Sequence, residues 1–180
     1  MSSNLVYVTG TPGSGKSTVC EELKRRGCAA FDTDEDSIAD FYDNVTGKAV
    51  GDHVPAEART AEWRARHSWL ARREVVEELI ASSRAPLVFL CGVTANDVDE
   101  LWDLFSLVIA LIVRDRAVLA QRIADREDDG YGKHPDELAS LMEWHKTAES
   151  DYAELGATLV DASQSVDDVV DAILACSPKA

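Results

Sequence analysis

The sequence has 180 residues, which fits one domain of the usual size of roughly 100 to 200 residues. Hydrophobic residues make up 46% and charged residues 28%, and these values exclude a disordered, collagen-like or low-complexity chain. Acidic residues outnumber basic ones by 33 to 18, so the net charge is −15. Nucleic acid and anionic membranes are attracted by basic surfaces, and we therefore expect neither as a partner.

The four cysteines form no CxxC pair and have no Cys/His spacing typical of a zinc site; they are Cys20, Cys28, Cys91 and Cys176. The N-terminus lacks the pattern of a secretory signal, and no segment approaches the roughly 18 apolar residues of a membrane span. We therefore expect reduced thiols and a cytoplasmic protein.

Short runs of β-branched residues alternate with longer helical patterns, which is typical of βαβ units in an α/β fold with a parallel sheet. In chain order, the patterns predict a strand at 5–9, a helix at 16–26, a strand at 29–31, a helical segment at 32–40, a loop at 45–55, one helix or a kinked pair at 56–83, strands at 87–91 and 107–113, a helix at 117–126, a break at 127–135, a helix at 136–155, a strand at 158–160 and a helix at 166–175.

The segment GTPGSGKS at 10–17 matches GxxxxGKS and lies between a predicted strand and a predicted helix, the context of a P-loop. Its glycines let consecutive backbone N–H groups point into one concavity, where Lys16 reaches the β and γ phosphates. The Ser17 hydroxyl can bind Mg²⁺. We predict that ATP phosphates are held by Gly10, Thr11, Pro12, Gly13, Ser14, Gly15, Lys16, Ser17 and Thr18.

Four carboxylates follow the second predicted strand: Asp32, Asp34, Glu35 and Asp36. Ligands of open parallel sheets bind outside the carboxyl ends of the strands, so these side chains are expected near the phosphates. Asp32 or Asp34 could hold Mg²⁺ through water or accept the proton of an attacking hydroxyl. The alternative is that they only cap a helix, and Glu35 and Asp36 are expected to face solvent.

Five arginines fall within the predicted helix at 56–83, and they are Arg59, Arg64, Arg66, Arg72 and Arg73. Three of them recur every seventh position and would share one helix face. At least one, with Arg59 first, is expected to bind an anionic acceptor. The alternative is an exposed helix with the pairs Glu62–Arg66 and Arg73–Glu77.

Arg122 and Arg126 precede the segment EDDGYGKHP, whose glycines and proline predict a mobile crossing. A closing lid that carries arginines would supply positive charge and exclude water during phosphoryl transfer. The alternative is a surface loop in which these arginines pair with Asp125, Glu127 or Asp128. The four tryptophans are expected to be core or half-buried residues rather than base-stacking surfaces.

Together, GTPGSGKST, the acidic FDTDED and the RxxxR before the lid resemble the nucleoside-monophosphate kinase and shikimate kinase group, small ATP-binding P-loop kinases of the AAA type. This resemblance implies a P-loop NTPase three-layer α/β/α sandwich with a five-stranded parallel sheet in the order 2-3-1-4-5. It also implies one domain over 1–180, with an acceptor-binding region at about 33–83 and a lid at about 122–136.

The same resemblance implies roles for individual residues. Asp32 would lie near the magnesium with Ser17, Asp34 near the acceptor hydroxyl, and Arg59 at the acceptor. Arg122 and Arg126 resemble the nucleotide-contacting and lid arginines, and residues 161–165 resemble the loop that packs on adenine. The third strand ends in Cys91 and Gly92, without an acidic residue or the glycine pair of shikimate kinases, so shikimate is not the expected acceptor.

We therefore expect an ATP-dependent, Mg²⁺-dependent small-molecule kinase that is a monomer or homodimer. The preferred acceptor is a nucleoside or nucleotide, and the catalytic set is Lys16, Asp32, Asp34 and Arg126. A nucleotide-binding regulatory ATPase or switch that acts on a protein partner is the alternative. A polynucleotide end kinase is disfavoured by the negative charge.

Overall fold

The computed structural model describes residues 4–51, 53–127 and 130–178. Its strands are β1 Leu5–Thr9, β2 Ala29–Asp32, β3 Ala39–Asp43, β4 Ala49–Gly51, β5 His67–Ala71, β6 Val88–Cys91, β7 Phe105–Ile112 and β8 Thr158–Asp161. Its helices are α1 Lys16–Arg25, α2 Ala61–Arg66, α3 Arg73–Ser82, α4 Arg116–Asp125, α5 Pro135–Trp144, α6 Ala148–Glu154 and α7 Val166–Cys176. Short turns of 3₁₀ or π helix occur at Ala56–Ala58, Asp97–Leu101 and Trp102–Leu104.

The main sheet is parallel and has five strands in the order β2-β6-β1-β7-β8. Counted within this sheet alone, that order is 2-3-1-4-5, which confirms the order implied by the resemblance. The central strand β1 is buried on both sides, with Val6 and Val8 facing one layer and Leu5 and Tyr7 facing the other. A strand covered on both faces needs apolar residues at successive positions, as this one has.

Helices cover both faces of the sheet and produce the expected three layers. Helices α1, α4, α5 and α7 contribute apolar side chains to the cluster that contains Val6 and Val8. Helix α3 and the turns before β7 pack on the opposite face with Leu5 and Tyr7, and α6 continues this layer beneath β7. Among the described residues, no helix has the length and apolar content needed to cross a bilayer.

The predicted helical segment at 32–40 is wrong, because residues after β2 make a turn and then enter strand β3. The Asp32 carboxylate accepts the Asp34 backbone N–H at 2.9 Å, and Ser37 adopts a left-handed conformation with φ 55°. Aspartate and serine side chains compete with helical hydrogen bonds in this way and favour turns. Phe41 then pairs with Trp69 across β3 and β5.

The prediction for 56–83 is also wrong, because strand β5 interrupts the helical pattern between α2 and α3. Strand β5 pairs with β3 in antiparallel register from Asp43↔His67 to Ala39↔Ala71. With β4, which lies in the predicted loop at 45–55, these strands form a second sheet in the order β4-β3-β5. A tertiary partner has therefore overridden the local helical periodicity.

The helix predicted at 136–155 is two helices, α5 and α6, separated at 145–147. His145 bonds through Nε2 to the Val113 carbonyl oxygen at 2.7 Å, and the Thr147 hydroxyl donates to Asp151 at 2.7 Å. These contacts hold the break at the end of β7 and at the start of α6.

The expected single arginine face does not form, because Arg59, Arg66 and Arg73 lie on different elements. The predicted Arg73–Glu77 pair is confirmed at 2.9 Å. Arg66 instead bonds to Asp43 at 2.8 Å, so the predicted Glu62–Arg66 pair is wrong.

Arg59 lies in a buried ion pair between the region around the small sheet and helix α5. Its Nε donates to Glu137 Oε1 at 2.8 Å and its Nη1 to the Val54 carbonyl oxygen at 2.5 Å. Glu137 Oε2 accepts the Gly132 backbone N–H at 3.0 Å. Arg59 is 6% exposed and Glu137 is fully buried. The pair joins residues 54–59 to residues 132–137, two segments that are distant in sequence.

We expect Glu137→Ala to lower the free energy of unfolding by about 3–5 kcal/mol, because the buried Arg59 charge would lose its partner. Urea unfolding followed by circular dichroism measures this loss. The double variant Arg59→Leu/Glu137→Leu should lose much less, since it buries no unpaired charge. Arg114→Ala, which removes the exposed Arg114–Glu149 pair, is the control and should have little effect on stability. An equal loss of unfolding free energy in this control would contradict a special stabilising role of the buried Arg59–Glu137 pair.

Candidate active site

The loop between β1 and α1 adopts a conformation that only glycine tolerates at its start. Gly10 has φ 145°, and a Cβ at this position would lie 2.6 Å from the Leu111 carbonyl oxygen. The Ser14 N–H donates to the Thr11 carbonyl oxygen at 3.0 Å and closes the turn. Gly15 precedes α1 with φ 101°, and a Cβ there would meet no atom within 4 Å. The loop thus wraps an open space at the N-terminus of α1, where the helix dipole favours anions.

Lys16 lies across this loop, with Nζ donating to the carbonyl oxygens of Gly10 at 2.9 Å and Thr11 at 3.1 Å. Burial lowers the pKa of Lys16 to about 8, while the nearby carboxylates of Asp34 and Asp32 act in the opposite direction. The guanidinium of Arg126 adds to the lowering of this pKa. The structure therefore brings all four predicted catalytic side chains into one electrostatic neighbourhood.

Asp32 ends strand β2 and is 2% exposed. Its Oδ1 accepts the backbone N–H groups of Asp34 at 2.9 Å and Glu35 at 3.4 Å, so this oxygen caps the turn. Its Oδ2 is buried and has no hydrogen-bond partner among the described residues. Because buried carboxylate oxygens are normally satisfied, Oδ2 is a natural ligand for a cation or its bound water.

Asp34 is solvent-accessible at the cleft, yet the surrounding protein desolvates its carboxyl and raises its pKa. Its Oδ1 accepts the Thr33 hydroxyl at 2.8 Å and the Trp69 indole N–H at 3.2 Å. Within the described part of the chain, the Oδ2 atom of Asp34 accepts no hydrogen bond. Asp34 is thus held in one orientation with one oxygen available as a proton acceptor.

Glu35 and Asp36 are exposed, as the sequence predicts. Asp36 accepts the Asp32 backbone N–H at 2.8 Å and the Lys24 ammonium at 3.0 Å.

The segment after β6 contributes polar residues that the sequence analysis did not single out. Thr94 lines the cleft and is 5% exposed, and its hydroxyl has no partner among the residues that the structure describes. Asn96 holds the segment against β5 through Ala71, at 2.9 and 3.2 Å. Asp97 accepts the Tyr7 hydroxyl at 3.2 Å, and burial raises the pKa of both groups. These residues follow the third strand of the main sheet in chain order. Because ligands bind at the carboxyl ends of parallel strands, this position could have marked them as site residues from the sequence.

Four ring side chains, which we call the aromatic face, line the cleft beside Asp34; they are Phe41, Trp63, His67 and Trp69. The rings of Trp63 and His67 stack with centroids 4.1 Å apart, and Phe41 meets Trp63 at 4.9 Å and Trp69 at 4.7 Å in edge contacts. All four are half-buried, which agrees with the expectation for the two tryptophans. Their position in the cleft wall was not predicted.

On the opposite side, Arg122 donates to the Ala162 carbonyl oxygen at 2.9 Å and to the Ser14 carbonyl oxygen at 3.5 Å. It thereby joins α4 to the P-loop and to the segment at 161–165. Arg126 is half-buried and lines the cleft, while Lys133 bonds to its carbonyl oxygen and to that of Ala124. Asp128, one of the expected alternative partners of these arginines, lies outside the described residues.

These elements surround a single continuous cleft of about 1240 Å³. Of the predicted site residues, the cleft is lined by Pro12, Gly13, Ser14, Gly15, Lys16, Ser17, Thr18, Asp34, Arg59, Arg122 and Arg126. Gly10, Thr11 and Asp32 are buried and do not line it. Arg59 reaches the cleft, but its guanidinium is bound by Glu137, so the structure does not support its predicted role as an open acceptor-binding group.

Comparisons with known proteins agree with this geometry. The family model described as "AAA domain" matches residues 6–143. None of the curated proteins matches the chain.

Three solved structures share the fold. A gluconokinase from Sinorhizobium meliloti is 22% identical, with a TM-score of 0.52 over 97% of this chain and 91% of that one. A shikimate kinase from Acinetobacter baumannii, solved in complex with shikimate, is 19% identical, with a TM-score of 0.59 over 95% and 90%. A deoxyadenosine kinase from M. mycoides, solved with bound dATP, is 15% identical, with a TM-score of 0.53 over 95% and 97%.

The match of the family model spans most of the chain, and the strand order, the flanking helices and the glycine-rich loop agree with it. The chain belongs to the AAA domain family and has the fold of the P-loop kinases.

Proposed function

We propose that this protein is an ATP-dependent kinase that transfers the γ-phosphoryl group to a hydroxyl of a small acceptor, with a nucleoside or nucleotide as the preferred class. The observation that carries the proposal is that Lys16, bonded to two P-loop carbonyl oxygens, lines the same large cleft as Asp34, with the carboxylates of Asp34 and Asp32 near enough to act on its pKa. The kinase identities of the three structural neighbours support it.

Lys16 and the P-loop amides bind the phosphates of ATP in this proposal. The Lys16 ammonium exchanges its bonds to the Gly10 and Thr11 carbonyl oxygens for phosphate oxygens. Arg126 lies close enough to Lys16 to affect its pKa, so it can offset negative charge on the migrating group. Arg122, bound to Ala162 and Ser14, positions the nucleotide between α4 and the segment at 161–165.

The donor set fits a magnesium ion that is held largely by phosphates and water. Ser17 is exposed in the first turn of α1, and Asp32 Oδ2 is buried without a partner among the described residues. The structure, within its described ranges, contains no cluster of three His, Cys, Asp or Glu side chains that could hold a metal without such help. Ser17 and Asp32 would therefore hold Mg²⁺, which supplies charge neutralisation at the phosphates when bound.

Asp34 accepts the proton of the attacking hydroxyl. The acceptor oxygen forms a bond to the γ-phosphorus, the bond from that phosphorus to the β,γ-bridging oxygen breaks, and ADP leaves. Two carboxylates at this point would repel an attacking phosphate, so the geometry favours a hydroxyl as the acceptor group. The hydrogen bonds from Thr33 and Trp69 keep Asp34 oriented during this step.

We expect Lys16→Ala to abolish phosphoryl transfer, with a loss of at least about 100-fold in kcat, while the fold stays intact. ADP release in the presence of acceptor and circular dichroism measure the two effects. Lys24→Ala, on the same helix, is the control that keeps activity, because Lys24 pairs with Asp36 on the surface. Retained transfer by Lys16→Ala would refute the P-loop assignment.

We expect Asp34→Asn to lower kcat by about 100- to 10 000-fold with little change in the KM for ATP, because it removes the proton acceptor. Asp32→Asn should lower turnover more than nucleotide affinity and raise the Mg²⁺ concentration needed for half-maximal rate. The exposed Glu35→Gln is the matched control and should keep normal kinetics. Unchanged turnover in both aspartate variants would show that Asp32 and Asp34 only cap the turn and take no part in catalysis.

The affinity for ATP should weaken as the pH rises above about 8, the lowered pKa of Lys16. Phosphates stabilise the ammonium form and raise this pKa, so binding above that value requires uptake of a proton. The weakening should approach about tenfold per pH unit until the pKa of the bound state is reached. Calorimetry in buffers of different ionisation enthalpy measures the proton uptake, which should vanish in Lys16→Met and persist in Lys24→Ala.

A further inference from the structure

We propose that the acceptor is a nucleoside, whose base stacks against the aromatic face of Phe41, Trp63, His67 and Trp69 and hydrogen-bonds to Thr94. This inference rests on the proposed kinase function and names the acceptor and the residues that select it. It gives Trp63 and Trp69 the base-stacking role that the sequence analysis did not favour. It depends on four observations: the size of the cleft, the aromatic face, its bond to Asp34 and the unpartnered Thr94 hydroxyl.

The cleft is large enough for two ligands. Its volume of about 1240 Å³ exceeds the roughly 300–1000 Å³ of a pocket for one drug-sized molecule. The P-loop, Arg122 and Arg126 line one part of it, whereas the aromatic face and the segment after β6, joined by the bond from the Ala95 N–H to the Trp69 carbonyl oxygen, line another. This second part, called the acceptor end below, is assigned to the acceptor.

The aromatic face is a rigid surface suited to a flat ring. Phe41 meets both tryptophans edge-on, and Trp63 stacks on His67 with the ring planes 12° apart. Phe41 and Trp69 are also direct partners across β3 and β5. Because the rings hold one another in place, a stacking ligand orders few side chains on binding. Stacking on aromatic side chains is a general way in which proteins bind nucleobases.

A hydrogen bond fixes the aromatic face relative to the reacting end of the cleft. The Trp69 indole N–H donates to Asp34 Oδ1 at 3.2 Å, so the ring surface begins beside the carboxylate that takes the acceptor proton. The acceptor must therefore present a hydroxyl at Asp34 and a flat ring close to it. A nucleoside has both groups, whereas a sugar acid has hydroxyls without an aromatic ring.

Thr94 supplies a polar point on the same wall. The next residue, Ala95, donates its N–H to the Trp69 carbonyl oxygen at 2.8 Å, which holds this segment beside β5. Thr94 lines the cleft and is 5% exposed, and its buried hydroxyl has no partner in the part of the chain that is described. A hydroxyl both donates and accepts, so it can pair with the edge of a base, and a ligand would satisfy it.

The charges of this end favour the nucleoside over its monophosphate. Asp34 lies beside Trp69 and Asp97 lies on the segment of Thr94, and the Arg59 guanidinium is already bound by Glu137. Arg64 also lines this end, with Nη1 donating to the Arg59 carbonyl oxygen at 2.6 Å. A monophosphate bound at this end would bring its dianion close to the Asp34 and Asp97 carboxylates, which Arg64 alone does not balance.

The first test is an acceptor panel with the full chain, ATP and Mg²⁺. Nucleosides, deoxynucleosides, their 5′-monophosphates, gluconate and shikimate are compared at equal concentration by ADP release, and products are identified by phosphorus NMR. We expect a nucleoside or deoxynucleoside to exceed every sugar acid and every monophosphate by at least about tenfold in kcat/KM. Preference for a monophosphate or for a non-aromatic acceptor would overturn the inference.

The second test uses variants of the wall. Trp63→Leu should raise the KM for nucleosides by about tenfold or more, and Thr94→Val by about 3- to 10-fold, with the KM for ATP unchanged. Phe41→Leu is the second aromatic variant if Trp63→Leu fails to fold. Trp102→Leu and Thr158→Val are matched controls outside the cleft and should keep the parental KM values. Equal effects in variants and controls would contradict a recognition role.

Binding without transfer separates this inference from the proposed function. The Lys16→Ala variant, in the absence of ATP, is titrated with each nucleoside and deoxynucleoside of the panel while tryptophan fluorescence is followed. Saturable binding that weakens in Lys16→Ala/Trp63→Leu supports the aromatic site even if no acceptor is ever phosphorylated, an outcome that would refute only the kinase. Transfer to a sugar acid without nucleoside binding would keep the kinase and refute the aromatic site.

Discussion

The candidate site depends on the main-chain pairing of three parallel strands at their carboxyl ends. Beyond the strands themselves, the Thr33 N–H bonds to the Cys91 carbonyl oxygen at 2.9 Å and the Gly92 N–H to the Val8 carbonyl oxygen at 3.0 Å. A Cβ on Gly92 would lie 2.0 Å from the Thr33 hydroxyl, so only glycine allows this close approach. These contacts hold the P-loop, the turn with Asp32 and Asp34, and the segment with Thr94 side by side.

The small antiparallel sheet extends this arrangement into the part of the cleft that we assign to the acceptor. Its β5 strand is bonded to the segment after β6 through Asn96 and Ala95, and its β3 strand follows directly from the turn that carries Asp34. The buried Arg59–Glu137 pair then connects the chain before α2 to α5. Both walls of the cleft are thus anchored to the main sheet or to its helices, which is the rigidity that an oriented phosphoryl transfer requires.

Charged side chains of both signs lie close together at the P-loop of this acidic protein. Lys16 lies near two carboxylates and one arginine, and burial lowers its pKa to about 8. A phosphate chain would reverse this effect, since it stabilises the ammonium. The net charge of −15 means that most of the surface repels a polyanion. The cleft differs, because it is lined by Lys16, Arg122 and Arg126. In the proposed function, this one amine would couple nucleotide binding to proton uptake.

The sequence alone determined the features that depend on local pattern. The glycine spacing before Lys16, the alternation of apolar strands with helices and the carboxylates after the second strand were enough for the P-loop, the main sheet and the positions of Asp32 and Asp34. Only the tertiary structure decided that His67–Ala71 is a strand, that Arg59 pairs with Glu137, and that Thr94 and the aromatic face share one wall. These features are contacts between residues far apart in the chain, and helical periodicity or motif spacing carries no information about which distant partner a side chain will meet.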